Sequence, residues 1–201
     1  MQLNDGMLSA FIVVVVLVLY ASGWKEFLFG NVRHRWIVAF LMLWLIGSRI
    51  AIPVGAAKLS GSLVIVCIAA VVGLCTAGSA FAAAHLLSLC MLASSVHVFI
   101  LQLQFVHPLM LPYEPQRISA VLVGVLAAWT ANGILQQTAV ATIGLLLGEG
   151  LHLWIAHEPL PGLIGDAGFF DLWWLVLAIC RIAHPLINSL RRLRGTGMTA
   201  G

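Results

Sequence analysis

Residues 59–106 read LSGSLVIVCIAAVVGLCTAGSAFAAAHLLSLCMLASSVHVFILQLQFV, 48 residues without one Asp, Glu, Lys or Arg. As a single helix this stretch would run about 72 Å at 1.5 Å per residue, more than twice the roughly 30 Å hydrocarbon core of a bilayer. It must therefore turn back. Thr76-Ala77-Gly78-Ser79 is the natural place, because small and turn-forming residues interrupt an apolar helix there. The reading predicts two transmembrane spans, at 59–77 and 80–104.

Working outward, the same reasoning divides the next apolar run. No charged residue occurs between Arg117 and Glu149, and Asn132-Gly133 with Gln136-Gln137 supplies the break. That predicts spans at 117–133 and 138–157. Upstream, Ile12 and the valines Val13 to Val16 dominate a first span at 7–23, and Arg33-His34-Arg35-Trp36 opens a second at 36–57. A last span, 169–190, precedes a basic tail. Two Pro-rich connections, around Pro108, Pro112 and Pro115 and around Pro159 and Pro161, discourage helix continuation. The predicted fold is all-α, a polytopic transmembrane bundle of seven spans forming one integral membrane domain over 1–201.

Composition excludes most alternatives. Hydrophobic residues make up 62% of the chain and charged residues only 8%, with a mean hydropathy of +1.07. Soluble domains carry about 25% charged residues, so lipid must cover part of this surface. The net charge of +3 lies at the ends of apolar runs, where it orients helices instead of forming a stripe for nucleic acid. Cys67, Cys75, Cys90 and Cys180 sit inside apolar stretches without CxxC spacing, as small buried hydrophobes do. The N-terminus lacks the basic segment of a cleaved leader, its one charge before the first apolar run being Asp5.

Charge asymmetry sets the orientation. With seven spans and the N-terminus outside, Lys25, Arg33, Arg35, Arg191, Arg192 and Arg194 fall in the cytoplasm, against Lys58 and Arg117 outside. The outer segments also carry Asp5, Glu114, Glu158, Asp166 and Asp171. That bias matches the excess of Lys and Arg on cytoplasmic loops. Trp24 and Trp36 then mark the inner boundary, and Trp154, Trp173 and Trp174 the outer one.

Ionisable groups within a bilayer are costly unless paired or hydrated, so they are the first functional candidates. Arg49, Glu149 and Arg181 qualify. Arg49 and Glu149 lie at matching depth in spans two and six, about 18–20 Å from their inner ends, which predicts an interhelical ion pair. It reads either as a register pin or as a proton or ion relay. His152 follows Glu149 at i+3 on the same helical face, and His97, in the outer part of span four, is placed to join them. A single Glu-x-x-His falls short of the duplicated motif and extra carboxylates of a di-metal bundle, so no metal or other cofactor is expected.

Arg181 and His184, again i+3 neighbours, precede Pro185 and form a second candidate group toward the cytoplasm. Snorkelling of Arg181 to the inner headgroups is the favoured reading. Gln102, Gln104, Asn132, Gln136 and Gln137, near span ends, are expected to satisfy turns. Gly144 and Gly148 form a GxxxG spacing that permits close helix approach in lipid, against another helix or a partner.

Enzyme motifs are missing. The sequence has no HExxH, no GxSxG and no intramembrane aspartate pair, and Ser94 with His97 lacks a nameable oxyanion donor.

Ala21-Ser22-Gly23-Trp24-Lys25-Glu26, the basic loop Arg33-His34-Arg35-Trp36 and the layout of spans together resemble the YphA-type family of small bacterial integral membrane proteins. The resemblance implies a multi-pass protein of the bacterial plasma membrane and carries over no catalytic residue. The expectation from the residues is a non-enzymatic interaction, assembly or regulatory component, in contact with lipid and with a membrane protein partner or a second copy. The alternative is a small transporter or proton- or ion-coupled protein using Arg49, Glu149 and His152.

Overall fold

The computed structural model describes residues 6–55, 57–106, 114–157 and 162–197. Asp5, Glu158, Pro108, Pro112, Pro159 and Pro161 lie outside the described residues, as do the side chains of Arg192 and Arg194. The described chain is mostly helical: α1 Met7–Ala21, α2 Lys25–Phe29, α3 His34–Gly47, α4 Gly61–Cys75, α5 Ala80–Val106, α6 Pro115–Thr130, α7 Ile134–Ala156 and α8 Ala167–Gly197. Each predicted span overlaps one of these helices, with α2 added between the first two.

A turn falls at 76–79 and another at Asn132-Gly133, whereas Gln136 and Gln137, expected in the second break, lie inside α7. α4 and α5 part at residues 76–79, with Gly78 at φ +76°, and α6 and α7 part at 131–133. A left-handed φ of that size suits glycine because no Cβ meets the backbone. Three helical stretches, Ala80–Gln104, Ile134–Ala156 and Ala167–Arg191, are long and apolar enough to cross a membrane. Met7–Ala21, His34–Gly47 and Gly61–Cys75 are shorter apolar helices.

The predicted span at 36–57 is corrected. Helix α3 stops at Gly47, and β1 Ala51–Val54 forms an antiparallel hairpin with β2 Ala57–Ser60, pairing Pro53 with Lys58. The sequence carries the reason. Pro53 cannot donate a helix hydrogen bond and pushes Ile52 toward extended backbone, and Gly55 turns the hairpin at φ +63°. Strand β2 also pairs in parallel with β3 Leu163–Ile164, within the connection that leads to α8.

This small sheet marks one end of the bundle. The Asp171 carboxylate at the start of α8 accepts backbone N–H bonds from Gly6 at 2.9 Å and Ser9 at 2.6 Å, fixing the start of α1 beside it. At the opposite end Arg191 donates to the Trp129 carbonyl at 2.5 Å and stacks over its ring, 5.3 Å from the centroid. We call these the sheet end and the basic end.

Helix α7 is the hub, packing against α4, α5, α6 and α8. Small residues allow the approach. A Cβ on Gly144 would lie 2.8 Å from the Ala93 Cβ of α5, and one on Gly73 of α4 would strike the Leu135 carbonyl of α7. Gly124 of α6 likewise faces Val176 and Ile179 of α8. The GxxxG stripe therefore meets a helix of its own chain.

An aromatic cluster of Trp44, Phe170, Trp173 and Trp174 fills the space between α3 and α8. Trp173 is fully buried and donates from its indole N–H to Thr142 Oγ1 at 2.9 Å. Trp173 and Trp174 are thus core residues and not the interfacial belt that the sequence suggested. Trp154, 73% exposed, remains on the outside. Outer faces of several helices present large apolar side chains, among them Phe11, Phe81, Phe99 and Ile182. Such a surface has lipid as its natural solvent.

Candidate functional site

Two polar groups interrupt this apolar interior. The first lies where α5, α6 and α7 meet. Gly148 makes it: an added Cβ would sit 2.7 Å from His97 Cδ2, so the bare glycine backbone lets the imidazole lie against α7. His97 is fully buried. Its Nδ1 lies 3.0 Å from Ser119 Oγ on α6, and its Nε2 lies 3.5 Å from Glu149 Oε1. Nε2 makes no aligned hydrogen bond, so the Glu149 contact is one of proximity and charge.

Hydrogen-bond stoichiometry limits where protons can sit. The Ser119 hydroxyl has one proton and two acceptors within reach, the Gln116 carbonyl at 2.8 Å and Nδ1 of His97 at 3.0 Å. When it donates to the carbonyl, its oxygen accepts from Nδ1–H of His97. A neutral imidazole carries one N–H. With that hydrogen on Nδ1, Nε2 presents a lone pair to the Glu149 carboxyl. In that tautomer two bare acceptors repel and the contact is favourable only with one further proton, whereas the other tautomer turns an Nε2–H toward the carboxylate. One layer toward the sheet end, Gln102 Nε2 lies 3.3 Å from His152 Nδ1.

Arg49 takes no part. It lies beyond the end of α3 with an exposed side chain, and α4 packs between α3 and α7. The predicted Arg49–Glu149 pair is not formed: the Glu149 carboxylate meets His97 instead. The depth argument failed because it assumed a helix continuing to residue 57.

The second group lies toward the basic end. Gln137, fully buried, donates from Nε2 to the Ala131 carbonyl at 3.0 Å and accepts at Oε1 from Arg181 at 2.9 Å. Arg181 also donates to the Phe27 carbonyl in α2. It is therefore turned into the protein and tied to two other elements, not snorkelling to headgroups. His184 Nδ1 lies 3.1 Å from the Ala128 carbonyl and 3.2 Å from Gln137 Nε2, and its Nε2 lies 3.0 Å from Asn188 Nδ2. Helix α8 runs on through Pro185, whose ring nitrogen cannot bond the Arg181 carbonyl one turn earlier.

Of the residues singled out from sequence, His97 and Glu149 come together, as do Arg181 and His184. Gly144 and Gly148 face Ala93 and His97, not an open surface. Sequence reasoning passed over Ser119 and treated Gln137 as a turn residue. The available signal was faint: Ser119 shares a helical face with Val123 and Ala127, all three fully buried, and a polar residue on such a face needs an internal partner.

A helical bundle with an apolar exterior and a small polar interior defines an integral membrane protein. The chain belongs to the family of YphA-like integral membrane proteins, which matches residues 23–197. No curated protein and no solved structure shows significant similarity to it.

Proposed function

We propose that this is a non-enzymatic, proton-responsive protein of the bacterial plasma membrane, in which His97 and Glu149 hold and release the proton that couples to solute or ion movement. The observation behind this reading is the contact of His97 Nε2 with Glu149 Oε1 at 3.5 Å, with the other ring nitrogen 3.0 Å from Ser119 Oγ. A buried imidazole beside a partly exposed carboxyl in an apolar bundle is a pair between which a proton can pass. Ser119 is fully buried with its hydroxyl bound to a backbone carbonyl. Its part is to orient His97, not to attack a substrate.

The topology proposed with this function is seven spans, N-terminus outside and C-terminus cytoplasmic. Lys25, Arg33, Arg35 and Arg191 gather at the basic end and Lys58 and Arg117 at the other, which favours a cytoplasmic basic end. The helices of 14–16 residues, α1, α3, α4 and α6, reach about 21–24 Å and require local thinning of the bilayer. One support for an assembly role, the Gly144/Gly148 stripe, is occupied by α5.

The test is infrared difference spectroscopy of the protein in lipid nanodiscs, titrated from about pH 5 to 9. The expected result is a carboxyl C=O band in the wild-type difference spectrum that disappears in Glu149→Gln. Identical difference spectra for wild type and Glu149→Gln would sink the reading. Flux of protons into reconstituted vesicles, lost in Glu149→Gln, would tie the site to transport.

A further inference from the structure

The basic end holds a cavity of about 900 Å³, walled by α2 and the loop after it, the turn between α6 and α7, and α8. Its lining includes Glu26, Arg33, Trp36, Asn132, Arg181 and His184. Arg181 is the unusual member. Among the described residues no carboxylate approaches its guanidinium within ion-pairing distance, although Glu26 lines the same cavity. Its terminal nitrogens meet two neutral oxygens, those of Gln137 and Phe27, and its Nε is buried without a partner.

A guanidinium offers five N–H donors and stays charged. Burying such a cation against neutral acceptors alone leaves desolvation uncompensated. Arg33, the amide of Asn132 and His184 add positive or donor character to the lining, against the carboxylate of Glu26. Phe29, Val32 and Leu135 provide apolar wall beside this polar floor. A cavity of this size holds a small molecule, and Arg181 within it has no carboxylate at ion-pairing distance among the described residues.

We propose that this cavity is an oxyanion site, in which Arg181 binds the phosphate or carboxylate group of a ligand entering from the basic end. The headgroup of an anionic lipid and a free anionic solute present the same chemistry to it. The inference rests on the Arg181 cavity alone and stands independently of the His97–Glu149 pair.

The test is thermal unfolding of the full-length protein in nanodiscs of phosphatidylcholine, with inorganic phosphate titrated against chloride at matched ionic strength. A parallel arm replaces part of the lipid with phosphatidylglycerol. A Tm rise of about 5–10 °C is expected at a hundredfold excess over Kd, and Arg181→Gln should abolish it. Because Arg181→Gln removes ties to α2 and α7, a second variant guards against loss of fold. Gly133 lines the cavity one turn before Gln137, its backbone is extended at φ −132°, and an added Cβ there meets nothing within 4 Å. Gly133→Asp introduces an N-cap residue and an internal counter-charge. It should keep the fold and weaken the added anion at least tenfold. A shift with phosphate identifies a soluble anion, and a shift only with phosphatidylglycerol identifies a headgroup. No shift in either arm, or an equal shift in Gly133→Asp, overturns the proposal.

Discussion

Replacing Gly148 and Gly150 by alanine, one at a time, measures how far the His97 site depends on a bare backbone. The two glycines lie two residues apart in α7, so any gain in helix propensity, about 1 kcal/mol in water, is common to both and cancels in the comparison. Their surroundings differ. A Cβ on Gly150 meets nothing within 4 Å, whereas one on Gly148 falls 2.7 Å from His97 Cδ2 and 3.2 Å from His97 Cβ. Carbon atoms rest at about 3.5–4.0 Å, so the imidazole or α5 must move by roughly an ångström. His97 is fully buried and held through Ser119, so the ring cannot simply swing aside. Overpacking of this kind costs about 1–3 kcal/mol. Gly148→Ala should therefore be less stable than Gly150→Ala by about 1–3 kcal/mol, or roughly 5- to 150-fold in the unfolding equilibrium. Steric trapping in bicelles, or unfolding by SDS followed by tryptophan fluorescence, reads this difference. Equal stability of the two variants would refute the close packing of His97 on α7.

Three further outcomes are expected. Gly73→Ala drives a Cβ into the Leu135 carbonyl, which, being backbone, cannot rotate away; it should cost about 1–3 kcal/mol in the same unfolding assay. Thr142→Val keeps the side-chain volume but leaves the buried indole N–H of Trp173 without its acceptor, which should cost about 1–3 kcal/mol and change the emission of that tryptophan. Asp171→Ala removes the acceptor of the Gly6 and Ser9 amides, and at about 1.5–3 kcal/mol for hydrogen bonds to a charged group these amides should exchange with deuterium at least tenfold faster.

Apolar segments were the legible part of the fold because each reports its own composition. Thr76-Ala77-Gly78-Ser79 and Asn132-Gly133 interrupt otherwise uniform runs, and both became turns. The misread segment, 36–57, contained its own warning in Pro53 and Gly55. Overall hydropathy outweighed those two residues, because a short apolar hairpin and the last turns of a spanning helix have the same composition. Arg49 was misplaced along with that segment, since its depth was measured along a helix that ends before it.

The candidate site was legible as a set of residues and not as a set of partners. Glu149, His97, Arg181 and His184 stand out because charge and imidazole are rare in apolar helices. Ser119 and Gln137 do not, because a lone hydroxyl or amide near a span end is unremarkable until its neighbours are known.

The sequence by itself determined that the chain is a multi-helix membrane protein, where most helices turn, and which of its residues would be expensive to bury. Those properties follow from transfer free energies and helix geometry, which act residue by residue. Only the tertiary structure decided that Glu149 faces His97 in place of Arg49, that Gly144 and Gly148 admit α5, and that Trp173 and Trp174 are core. These depend on which helices are neighbours and how each is rotated about its axis. In a nearly uniform apolar chain the periodicity that would reveal that rotation is weak, so the choice falls to small-residue packing and to a few buried hydrogen bonds.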